Sequence, residues 1–343
     1  MSTDVTITVP DLDEAIAAAK FTGLATVHVG AKREFARAEG MANRAHGTAN
    51  TADTRFAIAS GAKAFTALAA MRLVEEGVLT LDDPVRPTLG KDLPLIDDAV
   101  TLRHLLTHTS GIGDYLDESG DWDPLEYVLK QPVHTLATTE GYVPELDGFP
   151  QEETPGETFR YNNGAFVVAA LVIERISGRG FHELVDTEVC QRAGLKKTSF
   201  LRNDNLPGDA ALGYLEHDGN WTNVLHFPVR GNGDGGLYTT ADDMAAFWLA
   251  LGEGKIVSKD NAALMTSPAP TSPKEGSSYG IGFWLSEDGL TRYIVGGDAG
   301  VSFVSAHQPD TKVTATVFGN MADVADAVMP VLDPVFASAR RGI

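Results

Sequence analysis

Phe56-Ala57-Ile58-Ala59-Ser60-Gly61-Ala62-Lys63, continued by Ala64-Phe65-Thr66-Ala67-Leu68-Ala69-Ala70-Met71-Arg72-Leu73-Val74-Glu75-Glu76-Gly77, is the stretch on which the reading of this chain turns. Its second part is rich in Ala and Leu, places apolar residues at helical spacing and stops at a glycine, which predicts a helix. Ser60 stands at the mouth of that helix and Lys63 one turn on, so hydroxyl and amine share a face. Backbone N–H groups and a partial positive charge at the helix start suit an oxyanion. A serine needs a base within hydrogen-bond reach, and a lysine serves once burial lowers its pKa. Taken alone, the pattern also fits an ordinary helix-start serine and a solvated lysine. The apolar Phe56, Ile58, Phe65 and Leu68 around the pair predict a buried helix, where a lysine needs a reason.

Composition bounds what such a pair can serve. The 343 residues suffice for a sizeable core, and 43% hydrophobic with 22% charged residues is ordinary for a globular chain. A net charge of −20 and a pI near 4.7 argue against nucleic acid and against anionic membrane surfaces as partners. The single cysteine, Cys190, allows no intrachain disulfide and no cysteine-based metal site. Met1 to Pro10 shows no basic and apolar leader pattern, and no run is long and apolar enough for a bilayer, so the expectation is a cytoplasmic enzyme. Nothing in the sequence sets the oligomeric state.

Read in order, Asp11 to Lys20 predicts a short helix, and Leu24 to Val29 with Glu34 to Ala38 a hairpin turning at Gly30. His28 reads as a partly exposed strand residue without a role. Leu102 to Gly111 predicts a short helix ending in a turn, with His104 and His108 at a metal-like spacing. Leu105 stands where a helical metalloprotease needs glutamate, so both histidines are read as tying down the turn. Asp114 to Thr154, acidic and carrying Trp122, Tyr127 and Tyr142, reads as an irregular pocket wall with a short helix near Leu125 to Lys130. Ala165 to Ser177 and Phe181 to Arg192 predict helices, and Tyr161-Asn162-Asn163 stands at the mouth of the first. Gly231 to Gly236 lacks the lysine and hydroxyl of a phosphate loop, which leaves close backbone approach as the reason for its glycines. A helix opens at Thr240, strands are predicted at 279–285, 291–295, 301–306 and 312–318, and Asp323 to Arg341 closes the chain as a helix. The expected fold is α+β: an antiparallel sheet built from both chain ends, 1–85 and 230–343, flanked by helices, with a mostly helical insertion over 86–229 and the site at their interface.

Ser60-x-x-Lys63, Tyr161-x-Asn163 and the glycine-rich strand Val295-Gly296-Gly297, in this order, resemble the serine β-lactamase and penicillin-binding-protein superfamily. The closest resemblance is to the class C β-lactamase-like branch, which includes family VIII carboxylesterases, D-aminopeptidases and DD-peptidases. The resemblance implies Ser60 as the acylated nucleophile, Lys63 as its base and Tyr161 as the proton shuttle, with Asn163 bonding the lysine or the substrate. It implies a tyrosine that titrates low beside a charged Lys63, the two acting as one coupled base. The third motif departs from the pattern. Val295 takes the place of the usual lysine or histidine, and valine neither donates nor carries charge. Backbone N–H groups of Ser60 and of a residue near Asp298 are the expected oxyanion donors. Asp298 itself would repel anionic substrates. The expectation is therefore a serine hydrolase forming an acyl-enzyme, a carboxylesterase on small uncharged esters, with no metal and no cofactor. The alternatives are a D-amino-acid amidase or peptidase or a weak β-lactamase, for which Arg230 or Arg292 would have to supply the cation, and a non-catalytic acylatable binding or sensor protein.

Overall fold

The computed structural model describes residues 5–119, 123, 125–273 and 276–340. Trp122 and the expected helix end at Arg341 lie outside the described residues. Seven strands form the main sheet: β1 (Gly23–Val29), β2 (Lys32–Glu39), β3 (Ser278–Tyr279), β4 (Trp284–Leu285), β5 (Arg292–Asp298), β6 (Val301–Gln308) and β7 (Val313–Gly319). Their order across the sheet is β2-β1-β7-β6-β5-β4-β3, and each neighbouring pair is antiparallel. The two chain ends thus meet in the centre, where Thr26 pairs with Thr316.

Helices cover both faces, so β6 and β7 are buried along their whole length, whereas edge strand β2 shows exposed residues. The principal helices are α1 (Asp13–Ala18), α2 (Ala62–Glu75), α3 (Leu102–Leu106), α4 (Asn163–Ser177), α5 (Ala241–Glu253) and α6 (Val324–Arg340). One face packs α1 and α6 against Ala25, Val27, Val304, Ala306 and Val317. The other packs α2, α4 and α5 in a larger core with Ile294, Phe303 and Phe318. Among the described residues no helix is long and apolar enough to cross a membrane.

Three readings need correction. Residues 279–285 are not one strand but a hairpin of β3 and β4, because the chain reverses through Gly280 and Gly282, the latter at φ +82°. No helix forms over the described residues near Leu125 to Lys130. The amides of Lys130 and Gln131 are spent instead on the Glu145 carboxylate, at 3.0 and 2.8 Å. His28 is fully buried, not partly exposed, and its Nε2 meets Asp242 at the start of α5 at 2.9 Å. Helix 181–192 is continuous but carries a π-helical segment, Asp186–Cys190. The expectation for the two histidines of the 102–111 segment matches the structure. His104 closes a reciprocal cap with Thr101 on α3, and His108 accepts from the Asn162 amide at 3.1 Å.

The sheet approaches the Ser60 turn most closely at Gly296. A Cβ on Gly296 would lie 2.1 Å from the Ile58 carbonyl and 2.9 Å from the amide nitrogens of Ser60 and Gly61, all backbone atoms that cannot yield locally. Gly296→Ala is expected to destabilise the fold by about 1–3 kcal/mol as overpacking, read from urea denaturation. Gly297→Ala, where an added Cβ meets nothing, is expected to stay within about 0.5 kcal/mol of the parent.

Candidate active site

Ser60 lies in a 3₁₀ turn, Ala59–Gly61, that feeds directly into α2. Ala59 before it takes φ +42°, a left-handed conformation that costs a non-glycine residue about 1–2 kcal/mol. The turn brings Ser60 to the wall of an open cleft of about 650 Å³, lined also by Glu118, Arg160, Tyr161, Trp284 and residues 295–298. Lys63, one turn further, is buried in the apolar core, 3% exposed.

The Lys63 amine has three polar neighbours: Ser60 Oγ at 2.9 Å, Asn163 Oδ1 at 2.7 Å and the Asp234 carbonyl at 2.8 Å. The two oxygens other than Ser60 can only accept. They therefore take two N–H bonds whatever the charge of the amine, and the third tetrahedral direction points at Ser60. In the ammonium form that direction carries a proton; in the neutral amine it carries the lone pair. Burial drives the pKa of Lys63 down from its ordinary value, toward the amine, against the pull of Asp234, Glu118, Asp114 and Asp298.

Each acceptor is held from behind. The Asn163 amide nitrogen donates to the Leu116 carbonyl at 2.8 Å and to Glu118 at 2.7 Å, so its oxygen must face the lysine. Asn163 opens α4, whose first amides are capped by Asn162 and by Asp114. Asp234 sits in the glycine-dense turn. There a Cβ on Gly233 would fall 2.1 Å from the Phe166 carbonyl, so the glycines serve close backbone approach.

Tyr161 joins the pair from α4's mouth: its phenol stands beside the Ser60 side chain, and Lys63 Nζ lies 4.9 Å from its ring centre. The ring packs on His108 at 4.5 Å and parallel to Trp284 at 6.5 Å. The expectation of a low-titrating tyrosine is corrected here. Burial, with Glu118, Asp234 and Asp114 nearby, pushes the phenol well above its ordinary value, so it keeps its proton. His108 is buried and held neutral, well below its ordinary pKa, by desolvation and by Lys63.

The third motif sits on β5, and strand alternation sorts its residues. Ile294 packs into the core with Ile58, and Gly296 faces the same side, against the Ser60 turn. Val295 borders the cleft, but its side chain joins the layer under α6. The position directed at the serine turn in place of a cation is therefore Ile294, one residue earlier than the reading that named Val295. Gly297 and Asp298 line the cleft. Burial and the neighbouring Glu118 and Asp234 raise the Asp298 carboxyl to about 7, and burial raises Asp114 to about 6. Neither Arg230 nor Arg292 lines the cleft. Arg160 does, but its guanidinium is bound to Asp117 at 2.9 Å and to Glu152.

The sequence reading did not single out Asp114, Glu118, Asp234 or Trp284. Only the acidity of the 114–154 segment and the glycine density around Asp234 hinted at them.

The family model described as Beta-lactamase matches residues 11–330. Penicillin-binding protein 4* of Bacillus subtilis is 29% identical over 77% of this chain, and esterase EstB of Burkholderia gladioli is 34% identical over 54% of it. The chain spans 60% and 47% of the lengths of these two relatives. The crystal structure of a penicillin-binding protein from Bacillus halodurans is 36% identical, with a TM-score of 0.88, over 95% of this chain and 100% of that one. The Ser60 turn, Lys63, the Tyr161–Asn163 pair and the glycine strand thus lie within a match that runs nearly end to end, and the chain belongs to the Beta-lactamase family.

Proposed function

We propose that this chain hydrolyses small carboxylic esters that carry no negative charge, through an acyl-enzyme on Ser60. The observation that carries the reading is the Lys63 amine, fixed by two carbonyl oxygens so that its remaining direction meets Ser60 Oγ at 2.9 Å. As a neutral amine Lys63 takes the Ser60 proton while Oγ attacks the ester carbonyl. Tyr161, kept protonated by its surroundings, passes a proton to the departing alkoxide and is replenished from the lysine ammonium. Water then attacks the acyl-enzyme with the same groups as base, and Ser60 regains its proton.

The developing oxyanion has two backbone donors in this reading. One is the N–H of Ser60. For the other, the two-residue connection Ala299–Gly300 makes Asp298 and Val301 the closing hydrogen-bonded pair of the β5–β6 hairpin, so Gly297 directs its N–H away from β6. That refines the expected donor near Asp298 to Gly297. Preference for ester over anionic substrate rests on the carboxyls of Glu118 and Asp298 on the cleft and on its lack of an uncommitted arginine among the described residues. The similarity to esterase EstB supports the same direction.

Ser60→Ala is expected to lower p-nitrophenyl acetate hydrolysis by at least about 10³-fold, and mass spectrometry of the parent enzyme to show the acetyl adduct on Ser60. Unchanged turnover in the variant would remove the nucleophile assignment. Tyr161→Phe is expected to cost about 10²-fold or more in kcat/KM. Because Lys63 must be neutral to act, kcat/KM for a neutral ester should rise with pH and level off below the usual lysine range. A Tyr161 pKa held well above 10 predicts no falling limb from the phenol up to that pH. A bell-shaped profile whose falling limb disappears in Tyr161→Phe would contradict this proton arrangement.

A further inference from the structure

A second cavity, of about 50 Å³, adjoins the cleft: Asp298 borders both, and Ala59, the residue before the serine, lines it. Tyr115, Tyr127, Tyr142 and Tyr238 form much of its wall, together with Asp234. Each tyrosine spends its hydroxyl proton elsewhere. Tyr115 donates to the Asp234 carboxylate, Tyr127 to the His226 carbonyl at 3.2 Å, Tyr142 to the Arg230 carbonyl at 3.1 Å and Tyr238 to Asn203 Oδ1 at 3.0 Å. What the four leave for a guest is electron-rich: their aromatic rings, with phenol lone pairs on Tyr115, Tyr142 and Tyr238. No lysine or arginine stands among the described lining residues, while two carboxyl groups do.

Asn232 adds an independent observation. It is 1% exposed and lines the cavity; its oxygen takes the Gly233 amide at 2.8 Å, but its amide nitrogen has no partner among the described residues. A buried amide donor without an acceptor costs about 1–3 kcal/mol, and an oxygen brought by a guest removes that cost.

We propose that this cavity receives a small ammonium group carried by the substrate, with a substrate oxygen beside it accepting from Asn232. Size agrees: at about 10–15 Å³ per water-sized probe, the space takes a group of a few heavy atoms such as a short alkylammonium. The ammonium is drawn by Asp298 and Asp234 and by the tyrosine rings, while an anion of the same size would find no free donor hydroxyl and two carboxyls. The proposal deepens the esterase reading and rests on it for the word substrate. The charge can sit on either side of the scissile bond, since an aminoacyl ester and an amino-alcohol ester both bring an ammonium with an oxygen close by.

Two matched pairs separate these sources: alanine p-nitrophenyl ester against p-nitrophenyl propionate, and acetylthiocholine against its neutral 3,3-dimethylbutyl isostere. The cationic member of at least one pair is expected to be favoured by about tenfold or more in kcat/KM. The pair that shows the preference names the side of the bond, and Asp298→Asn should erase it. Binding is measured separately by calorimetry of propylammonium, with butyrate as control, on the Ser60→Ala protein, so that an enzyme without esterase activity still tests the cavity. Saturable propylammonium binding, lost in the double variant Ser60→Ala, Asp234→Asn and unmatched by butyrate, supports the site even if the ester assay fails. Ester turnover with equal use of cationic and neutral partners, together with no propylammonium binding, would overturn the ammonium site while leaving the esterase reading standing.

Discussion

An amine buried in an apolar core is the constraint around which this protein is arranged. Water would solvate a lysine freely; among the described residues the core offers the Lys63 amine three hydrogen-bond partners. Desolvation makes the charged form costly, so the site is stable only if the amine is held by good acceptors and is free to give up its extra proton. The two fixed acceptors come from chain segments far apart in sequence, Asn163 and Asp234, and each is pinned by its own support. The glycines at 233, 235 and 296 follow from the same need, because backbone must come within touching distance of α4 and of the Ser60 turn.

The surroundings of the amine are acidic, yet burial lowers its pKa against their pull. Asp114 and Asp298 are themselves lifted by burial, to about 6 and about 7, and Asp234 is raised as well. Ionised groups therefore compete for too little solvation, and the neutral forms gain on every side. Tyr161 shares in this: a phenolate would stand close to Glu118, Asp234 and Asp114. Both shifts run the same way, lowering the lysine and raising the tyrosine, and so work against a lysine-cation and tyrosinate pair. His108 fits the same economy, since it stacks on Tyr161 as an uncharged ring.

Much of this was legible in the sequence. The apolar flanks of Ser60 and Lys63 implied a buried helix, and α2 is buried at nearly every position. The strand texture at both ends implied a shared sheet, and β1 does pair with β7. Other features depend on contacts that no local pattern encodes. The split of residues 279–285 into a hairpin is decided by how Gly282 lies against α2, where an added Cβ would meet Ala67 at 2.5 Å. The offset between Val295 and Ile294 is a matter of which strand face meets the serine turn, and a one-residue difference exchanges the faces. His28 looked like half of an alternating edge, but α5 comes down on it from two hundred residues away through Asp242. Proton positions at Tyr161 follow from the total charge nearby, including Glu118 and Asp114, which the sequence placed in an irregular wall without showing which way they face.

The central pairing of β1 with β7 also bears on how the molecule is made. Thr26 bonds the carbonyl of Thr316, 290 residues later. During synthesis the β1–β2 hairpin leaves the ribosome with one long edge unpaired, and that edge stays so until almost the whole polypeptide has followed. The helical middle can collapse on its own local contacts, but the sheet closes last, with a large loop-closure cost. The nascent chain therefore passes through a stage in which Leu24, Ala25 and Val27, all sealed in the finished molecule, are open to other chains. Yield of folded protein in a cell will follow the supply of chaperones that shield this edge more closely than it follows the stability of the completed fold.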